Sequence, residues 1–267
     1  MSTTHEVFNQ SRALEDVNFF TIDQPLQEAL KREGGGWAAE RVAELGEICG
    51  SADVLRFGTE ANAHPPKLKT HDRFGHRIDE VEFHPAWHEL MKIGIEHEVH
   101  SLPWSEPGTG ANVARAALFT QLTQAEAGVG CPISMTFSVI PALRTQPELA
   151  AEWEPRFLSR EYDGELRPAA EKHGALAGMA MTEKQGGSDV RANTTRAELQ
   201  SDGTYEITGH KWFCSYPPCD IFLTLAQTSE GLSCFLIEGR DPGFRIQRLK
   251  DKLGTRSLPS SEVEFHG

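Results

Sequence analysis

The sequence predicts an α+β protein in which an N-terminal all-α domain is followed by an antiparallel β-barrel domain. Three observations predict it. Apolar residues recur at intervals of three and four up to about Tyr162, the pattern changes after Gly164 to alternation and short apolar runs, and hairpin-type turn formers separate those runs. A chain of 267 residues has room for two domains of ordinary size, expected at 1–165 and 166–267.

The helical part is punctuated element by element. Asp23 suits an N-cap, Pro25 is tolerated in the first turn, and Leu26 and Leu30 share a face before Gly34-Gly35-Gly36 stops the helix. Trp37, Val42, Leu45 and Ile48 mark a second helix ending near Gly50, and Ser51 can start a third. His64-Pro65-Pro66 breaks the pattern and Asp72-Arg73-Phe74-Gly75 is turn chemistry, so a loop of about twenty residues is expected here. Pro85 reopens a helix whose stripe runs through Trp87, Leu90, Met91, Ile95 and Val99. Val113, Leu118 and Leu122 repeat the signal until Gly128, and Leu149, Trp153 and Phe157 carry it once more. Beyond Gly174 the expected strands are 175–181, 194–199, 204–208, 221–226, 233–237, 244–249 and 262–265. Ser201-Asp202-Gly203 and Ser229-Glu230-Gly231 connect two pairs of them as hairpins. A closed barrel follows as the arrangement that leaves few unpaired edges.

Composition narrows the function. No run approaches the roughly 20 apolar residues of a membrane span, and the N-terminal Met1-Ser2-Thr3-Thr4-His5-Glu6 lacks a basic leader, so a cytoplasmic protein is expected. Five cysteines, an odd number at irregular spacing without a CxxC pair, fit reduced thiols. The net charge is −13, and residues 171–267 hold 11 basic against 13 acidic side chains, so the acidity sits in the first part. Such a surface repels a phosphate backbone, and direct nucleic-acid binding by this segment is not expected.

The most informative stretch is Ala180-Met181-Thr182-Glu183-Lys184-Gln185-Gly186-Gly187-Ser188-Asp189. A strand ends at a hydroxyl, paired glycines let backbone amides approach something closely, and a second hydroxyl follows, a pattern suited to an anionic or heteroaromatic ligand and equally to a plain loop. Downstream lie Gly209-His210-Lys211-Trp212 and the segment from Lys250 to Arg256. In this order and spacing the three stretches resemble the signatures of the acyl-CoA dehydrogenase family. Pro65-Pro66, the segment 78–88 and Cys131-Pro132-Ile133-Ser134-Met135-Thr136 are similar to its AidB branch, the adaptive-response flavoproteins linked to DNA alkylation.

The resemblance implies bound FAD. It places Met181 and Thr182 at the flavin ring through backbone amides and a hydroxyl, and Gly187 and Ser188 at the pyrophosphate. It places Trp212 over one face of the ring, with Phe213, Cys214 and Ser215 continuing the wall. Cys214 departs from the family, which often has Thr there with its hydroxyl near flavin N5. The resemblance also implies an acyl-CoA substrate, a homo-oligomer, and a C-terminal helical domain that carries the glutamate base. This sequence ends at Phe265-His266-Gly267, where that domain would begin, so no catalytic residue is named and the segment alone is expected to be inactive. Glu183 reads as structural. Two other readings stay open: a DNA-associated protective protein with vestigial flavin chemistry, and a catalytically inert scaffold.

Some signals carry less. His84 and His88 are spaced like a metal pair, but Pro85 makes His84 a cap outside the helix. Gly108-Thr109-Gly110 follows Pro107 rather than a strand and reads as a loop. Arg245, Arg248, Lys250, Lys252 and Arg256 read as a solvated β-face, or as a contact for a phosphate.

Overall fold

The computed structural model describes residues 4–267, so Met1, Ser2 and Thr3 of the stretch searched for a leader lie outside the described residues. Helices come first and a sheet second. The helices α1 (Gln24–Arg32), α2 (Ala39–Cys49) and α3 (Ala52–Ala63) begin and end near the expected punctuation. Asp23 accepts a hydrogen bond from the Leu26 amide at 3.0 Å, and Ser51 accepts one from Val54 at 3.4 Å. Each satisfies a donor that the helix itself leaves unpaired.

The expected loop over 64–84 is instead a hairpin of β1 (Lys67–His71) and β2 (Arg77–Glu82). Both strands are rich in charge and mostly exposed, so alternation between a buried and a wet face is faint in the sequence. An isolated two-stranded ribbon is marginal in water, and this one is held from outside. Arg77 Nη2 donates to the Ile246 carbonyl at 2.7 Å, and Asp79 Oδ2 accepts from the Ile246 amide at 3.0 Å.

Next come α4 (Pro85–Glu96), the short α5 (Leu102–Ser105), α6 (Ala111–Ala125), α7 (Gly130–Leu143) and α8 (Pro147–Phe157). The sequence pattern missed α7. It is apolar nearly all round, so no stripe stands out, and it contains Pro132 and Pro141. Its burial explains the composition. Val139, Ile140 and Leu143 pack with Trp153 and Phe157 of α8 and with Ala177, Ile221 and Leu223 of the sheet. Thr136 Oγ1 also accepts a hydrogen bond from the Ala177 amide at 3.1 Å. The larger core likewise runs from helical Leu45, Trp87 and Leu122 to Cys214, Phe222 and Val263, so helices and sheet share their interior.

The sheet comprises β3 (Ala177–Thr182), β4 (Arg196–Leu199), β5 (Tyr205–Ser215), β6 (Ile221–Thr228), β7 (Gly231–Glu238), β8 (Phe244–Leu249) and β9 (Ser260–His266). Both β3 and β4 pair antiparallel with β5 and parallel with β6. They occupy one slot, so β3 and β4 amount to a single strand interrupted by an excursion over 183–195. This interruption corrects the expected all-antiparallel pairing. Among the described residues β7 and β8, at the two ends of the sheet, are not paired with each other. Hydrogen bonding therefore leaves the expected barrel open. Side chains meet across it instead, with the ring centroids of Phe222 on β6 and Phe244 on β8 4.9 Å apart. Among the described residues no helix is long and apolar enough to cross a membrane.

Candidate functional site

An interrupted strand leaves backbone groups of its neighbours without partners, and buried groups of that kind must be satisfied. Glu183 and Lys211 do this. Glu183 Oε2 accepts from the Thr194 amide at 2.7 Å and hydroxyl at 3.0 Å, and Oε1 accepts from the Thr195 amide at 3.0 Å. Lys211 Nζ donates to Glu183 Oε1 at 3.0 Å and to the Leu225 carbonyl of β6 at 2.7 Å. Both side chains are fully enclosed. Burial on its own raises the Glu183 pKa, yet the Thr194 and Thr195 amides and the Lys211 ammonium outweigh it and hold the carboxyl well below its usual range. Burial draws the Lys211 pKa down while Glu183 opposes the shift. The pair closes the base of the excursion, joining the 180–189 motif to the Gly209–Trp212 motif.

The excursion is thereby fixed beside Trp212. Thr182 stands opposite Phe213 in the β3–β5 register, and the Lys184 amide donates to His210 Nε2 at 3.2 Å. A Cβ at Gly209, whose φ is +154, would stand 2.5 Å from Thr195 Oγ1, so only glycine lets β5 pass the start of β4. Gly187 lies on Thr182, where a Cβ would approach Oγ1 to 2.8 Å. Gly187 and Ser188 are exposed, while Met181 and Thr182 are half-buried. The Met181 carbonyl accepts from Asn193 Nδ2 at 2.9 Å.

Register shifts in β5 decide which side chains face outward. Between Lys211 and Cys214 one extra residue bulges relative to β9, and a bulge re-aims the side chains that follow it. Trp212 is half-buried and Phe213 exposed, whereas Lys211 on one side and Cys214 on the other are enclosed. Cys214 is fully buried, its carbonyl accepts from Ser261 Oγ at 2.8 Å, and burial pushes its thiol pKa up. The thiol therefore reaches no surface that Trp212 shares. Ser215 is half-buried, with its hydroxyl 3.3 Å from that of Ser260.

The basic segment splits into separate contacts. Lys250 Nζ lies 3.5 Å from the Trp212 ring centroid, with Arg248 at 5.8 Å and Lys184 at 5.7 Å. Arg248 and Lys250 both hold Glu262. Lys252 turns away to the Leu258 carbonyl at 2.7 Å and Ser260 Oγ at 3.0 Å. The histidine spacing resolves as capping: His84 Nδ1 accepts from the Ala86 amide at 3.3 Å, and His88 Nδ1 instead meets the Tyr162 hydroxyl at 2.8 Å.

The candidate site is thus a shelf of Thr182, Gly187, Ser188, Trp212 and Phe213. A cavity of about 590 Å³ lies elsewhere, lined by Arg77, Phe244 and Arg245 among others, and Trp212 does not line it. We locate the site by the chemistry of its residues. The sequence had not singled out Lys211 as the partner of Glu183, from which it is separated by 28 positions. Nor had it found the second buried pair, Lys172 Nζ to Asp220 Oδ1 at 2.8 Å.

Comparison with known proteins follows the same two-part division. Residues 9–164 match the N-terminal domain of the adaptive response protein AidB, and residues 178–267 match the acyl-CoA dehydrogenase middle domain. The chain is 49% identical to AidB of Escherichia coli (strain K12) over 98% of its own length and 50% of that protein. Among solved structures it resembles the apo form of Bd2924, with a TM-score of 0.85 and 31% identity over 98% of this chain and 54% of that one. Against Caenorhabditis elegans ACDH-11 in complex with C11-CoA the TM-score is 0.82 at 28% identity, covering 100% of this chain and 48% of that one. An acyl-CoA dehydrogenase from Bacillus anthracis complexed with FAD shares the fold at a TM-score of 0.56 and 20% identity, over 68% of this chain and 30% of that one. The chain spans about half the length of AidB of Escherichia coli.

Proposed function

Since this chain belongs to the acyl-CoA dehydrogenase family, in its AidB branch, we propose that it forms the flavin-binding part of an FAD-dependent oxidoreductase acting on CH–CH bonds of an acyl-CoA. The observation that carries the reading is the Glu183–Lys211 pair, which fixes the Thr182–Ser188 turn beside the Trp212 indole. The residues present fit the cofactor. A half-buried indole lies on the strand beside Thr182, and Gly187 passes so close to Thr182 that a Cβ there would stand 2.8 Å from its Oγ1, which leaves the exposed Gly-Ser turn open to a ligand.

Bound FAD would supply the two-electron acceptor for the reaction. Trp212 would cover one face of the ring, a contact worth about 0.5–1.5 kcal/mol beyond area burial. Thr182 would offer its hydroxyl and Met181 its backbone to the ring, and Phe213 and Ser215 would extend the wall. Cys214 would contribute backbone alone, because its thiol is enclosed. The Ser188 hydroxyl and the Gly187 amide would hold the diphosphate, where a hydrogen bond to a charged group contributes about 1.5–3 kcal/mol. Glu183 is no general base. It is ionised, fully enclosed and already accepts hydrogen bonds from Thr194, Thr195 and Lys211.

Five cysteines, all unpaired, support a reducing compartment, the cytoplasm. We assign no DNA contact to these residues, given the net charge of −13. Any link of the whole protein to DNA alkylation would then rest on other surfaces. Titration with FAD, followed by absorbance near roughly 370 and 450 nm as expected of an oxidised flavin cofactor, tests the reading. Ser188→Ala and Trp212→Ala are each expected to weaken uptake about tenfold or more. A folded sample that takes up no flavin, or uptake indifferent to both changes, would overturn it.

A further inference from the structure

The cavity of about 590 Å³ lies where the β1–β2 hairpin, the 166–168 segment, the Pro217-Pro218 turn and the β7–β8 connection meet. Its volume falls in the range of small-molecule sites, roughly 300–1,000 Å³. Prolines 168, 217, 218 and 242 line it, and their fixed φ angles make the walls largely preformed. Two of its charged residues are occupied. Arg77 pairs with Asp79 Oδ2 at 2.8 Å and with the Ile246 carbonyl, and Asp241 Oδ1 accepts from the Gly243 amide at 2.7 Å. The Arg240 and Arg245 side chains have no ion pair or hydrogen bond among the described residues.

These features constrain a ligand in two ways. Two guanidiniums without partners, both lining the cavity, suit a dianionic oxyanion group, which each can grip with paired N–H donors. Ile78, Leu166, Phe244 and the prolines favour a flat, weakly polar body beside that group. We propose that this cavity binds a phosphomonoester carried on such a body, of mononucleotide size, with Arg240 and Arg245 on the phosphate. Neither Trp212 nor the 182–188 turn lines the cavity, so the inference does not depend on flavin binding at the shelf.

Isothermal titration of this chain with AMP, adenosine and inorganic phosphate tests the assignment. AMP is expected to bind at least tenfold more tightly than either of the others. Arg240→Gln with Arg245→Gln should weaken AMP about 10- to 100-fold, the loss expected for hydrogen bonds to a charged group. Arg240→Gln alone, at an exposed position that leaves folding untouched, should weaken it at least fivefold. Unfolding temperature and flavin uptake should stay at their unsubstituted values. Adenosine binding as tightly as AMP would remove the phosphate from the proposal, and phosphate binding as tightly as AMP would remove the body. An AMP affinity unchanged by the arginine substitutions would overturn the site. Joint loss of AMP and flavin would show one shared site and overturn the independence claimed here.

Discussion

Two lysine–carboxylate pairs lie buried in this molecule at nearly the same distance, and their carboxyl groups shift in opposite directions. Glu183 and Lys211 are 3.0 Å apart with both side chains fully enclosed, and Lys172 and Asp220 are 2.8 Å apart at 4% and 5% exposure. Glu183 is held well below the usual carboxylate range. Asp220 is pushed up, because burial outweighs its ammonium partner and the Leu176 amide, which donates to it at 2.8 Å. Distance and side-chain exposure therefore do not separate them, although Asp220 lies deeper among surrounding atoms. Hydrogen-bond supply adds to that difference: Glu183 accepts from two backbone amides, a hydroxyl and Gln185 as well as its lysine. A carboxylate given that many donors keeps its charge in a dry place, and one given few holds its proton to a higher pH than it would in water. The first pair is a fixed staple across a broken strand. The second is a titratable contact facing a cavity of about 260 Å³ that His88 and Tyr216 also line.

Removing each lysine breaks or sharpens this contrast most directly. Lys211→Met strands an ionised Glu183 and the Leu225 carbonyl, and is expected to cost about 3–5 kcal/mol in urea unfolding, the usual penalty for removing one partner of a buried pair. Adding Glu183→Gln to it should recover part of the loss, since no buried charge then remains. Lys172→Met should cost less, about 1–3 kcal/mol, because Asp220 can take up a proton and leave only imperfectly paired polar groups. Equal losses at the two sites would show that donor supply is not what distinguishes them.

The two pairs also mark how far the sequence could be read. Thr182, Gly187, Ser188 and Trp212 could be singled out as candidates because each belongs to a short run whose residue order is itself the signal. Strands such as 244–249 were legible for the same reason, since alternation is local. Lys211 sat inside a recognised run, yet its pairing with Glu183 spans 28 positions and an interrupted strand, and no local pattern encodes that. Lys172, Asp220, His88 and Tyr162 come from separate segments and meet only after the helices dock on the sheet. The β1–β2 hairpin stayed hidden because its stability comes from Arg77 and Asp79 gripping β8, and α7 because apolar residues on nearly every side left no stripe. The all-antiparallel pairing failed at the excursion over 183–195, where the candidate motif interrupts a strand, and closure failed between β7 and β8, which are not paired among the described residues.

A smaller change tests the donor argument from within the first pair. Thr194→Val keeps the backbone amide at Glu183 Oε2 and removes only the hydroxyl donor at 3.0 Å. The expected loss is about 1 kcal/mol, typical of one hydrogen bond. Flavin uptake should weaken slightly if the excursion loosens. A loss as large as that of Lys211→Met would mean that the hydroxyl, rather than the whole set of donors, holds the charge.

The smallest effect is also the most diagnostic, because its sign differs between the pairs. Glu183 has a folded pKa below that of an unfolded glutamate, about 4.3, so its contribution is present above that pH and lost as pH falls through the depressed value. Asp220 has a folded pKa above that of an unfolded aspartate, about 3.9, so its contribution is complete below that pH and lost as pH rises through the raised value. Lys172, Asp163 and the Leu176 amide act on Asp220 without reversing the direction. Urea unfolding of the unsubstituted protein, Glu183→Gln and Asp220→Asn should be compared from about pH 3.5 to 7, a window spanning both unfolded values. The stability gap to Glu183→Gln should narrow on acidification, and the gap to Asp220→Asn should narrow towards neutrality. If the Asp220→Asn gap widened with pH instead, Asp220 would be a second fixed charge, and the contrast in donor supply would no longer account for the two sites.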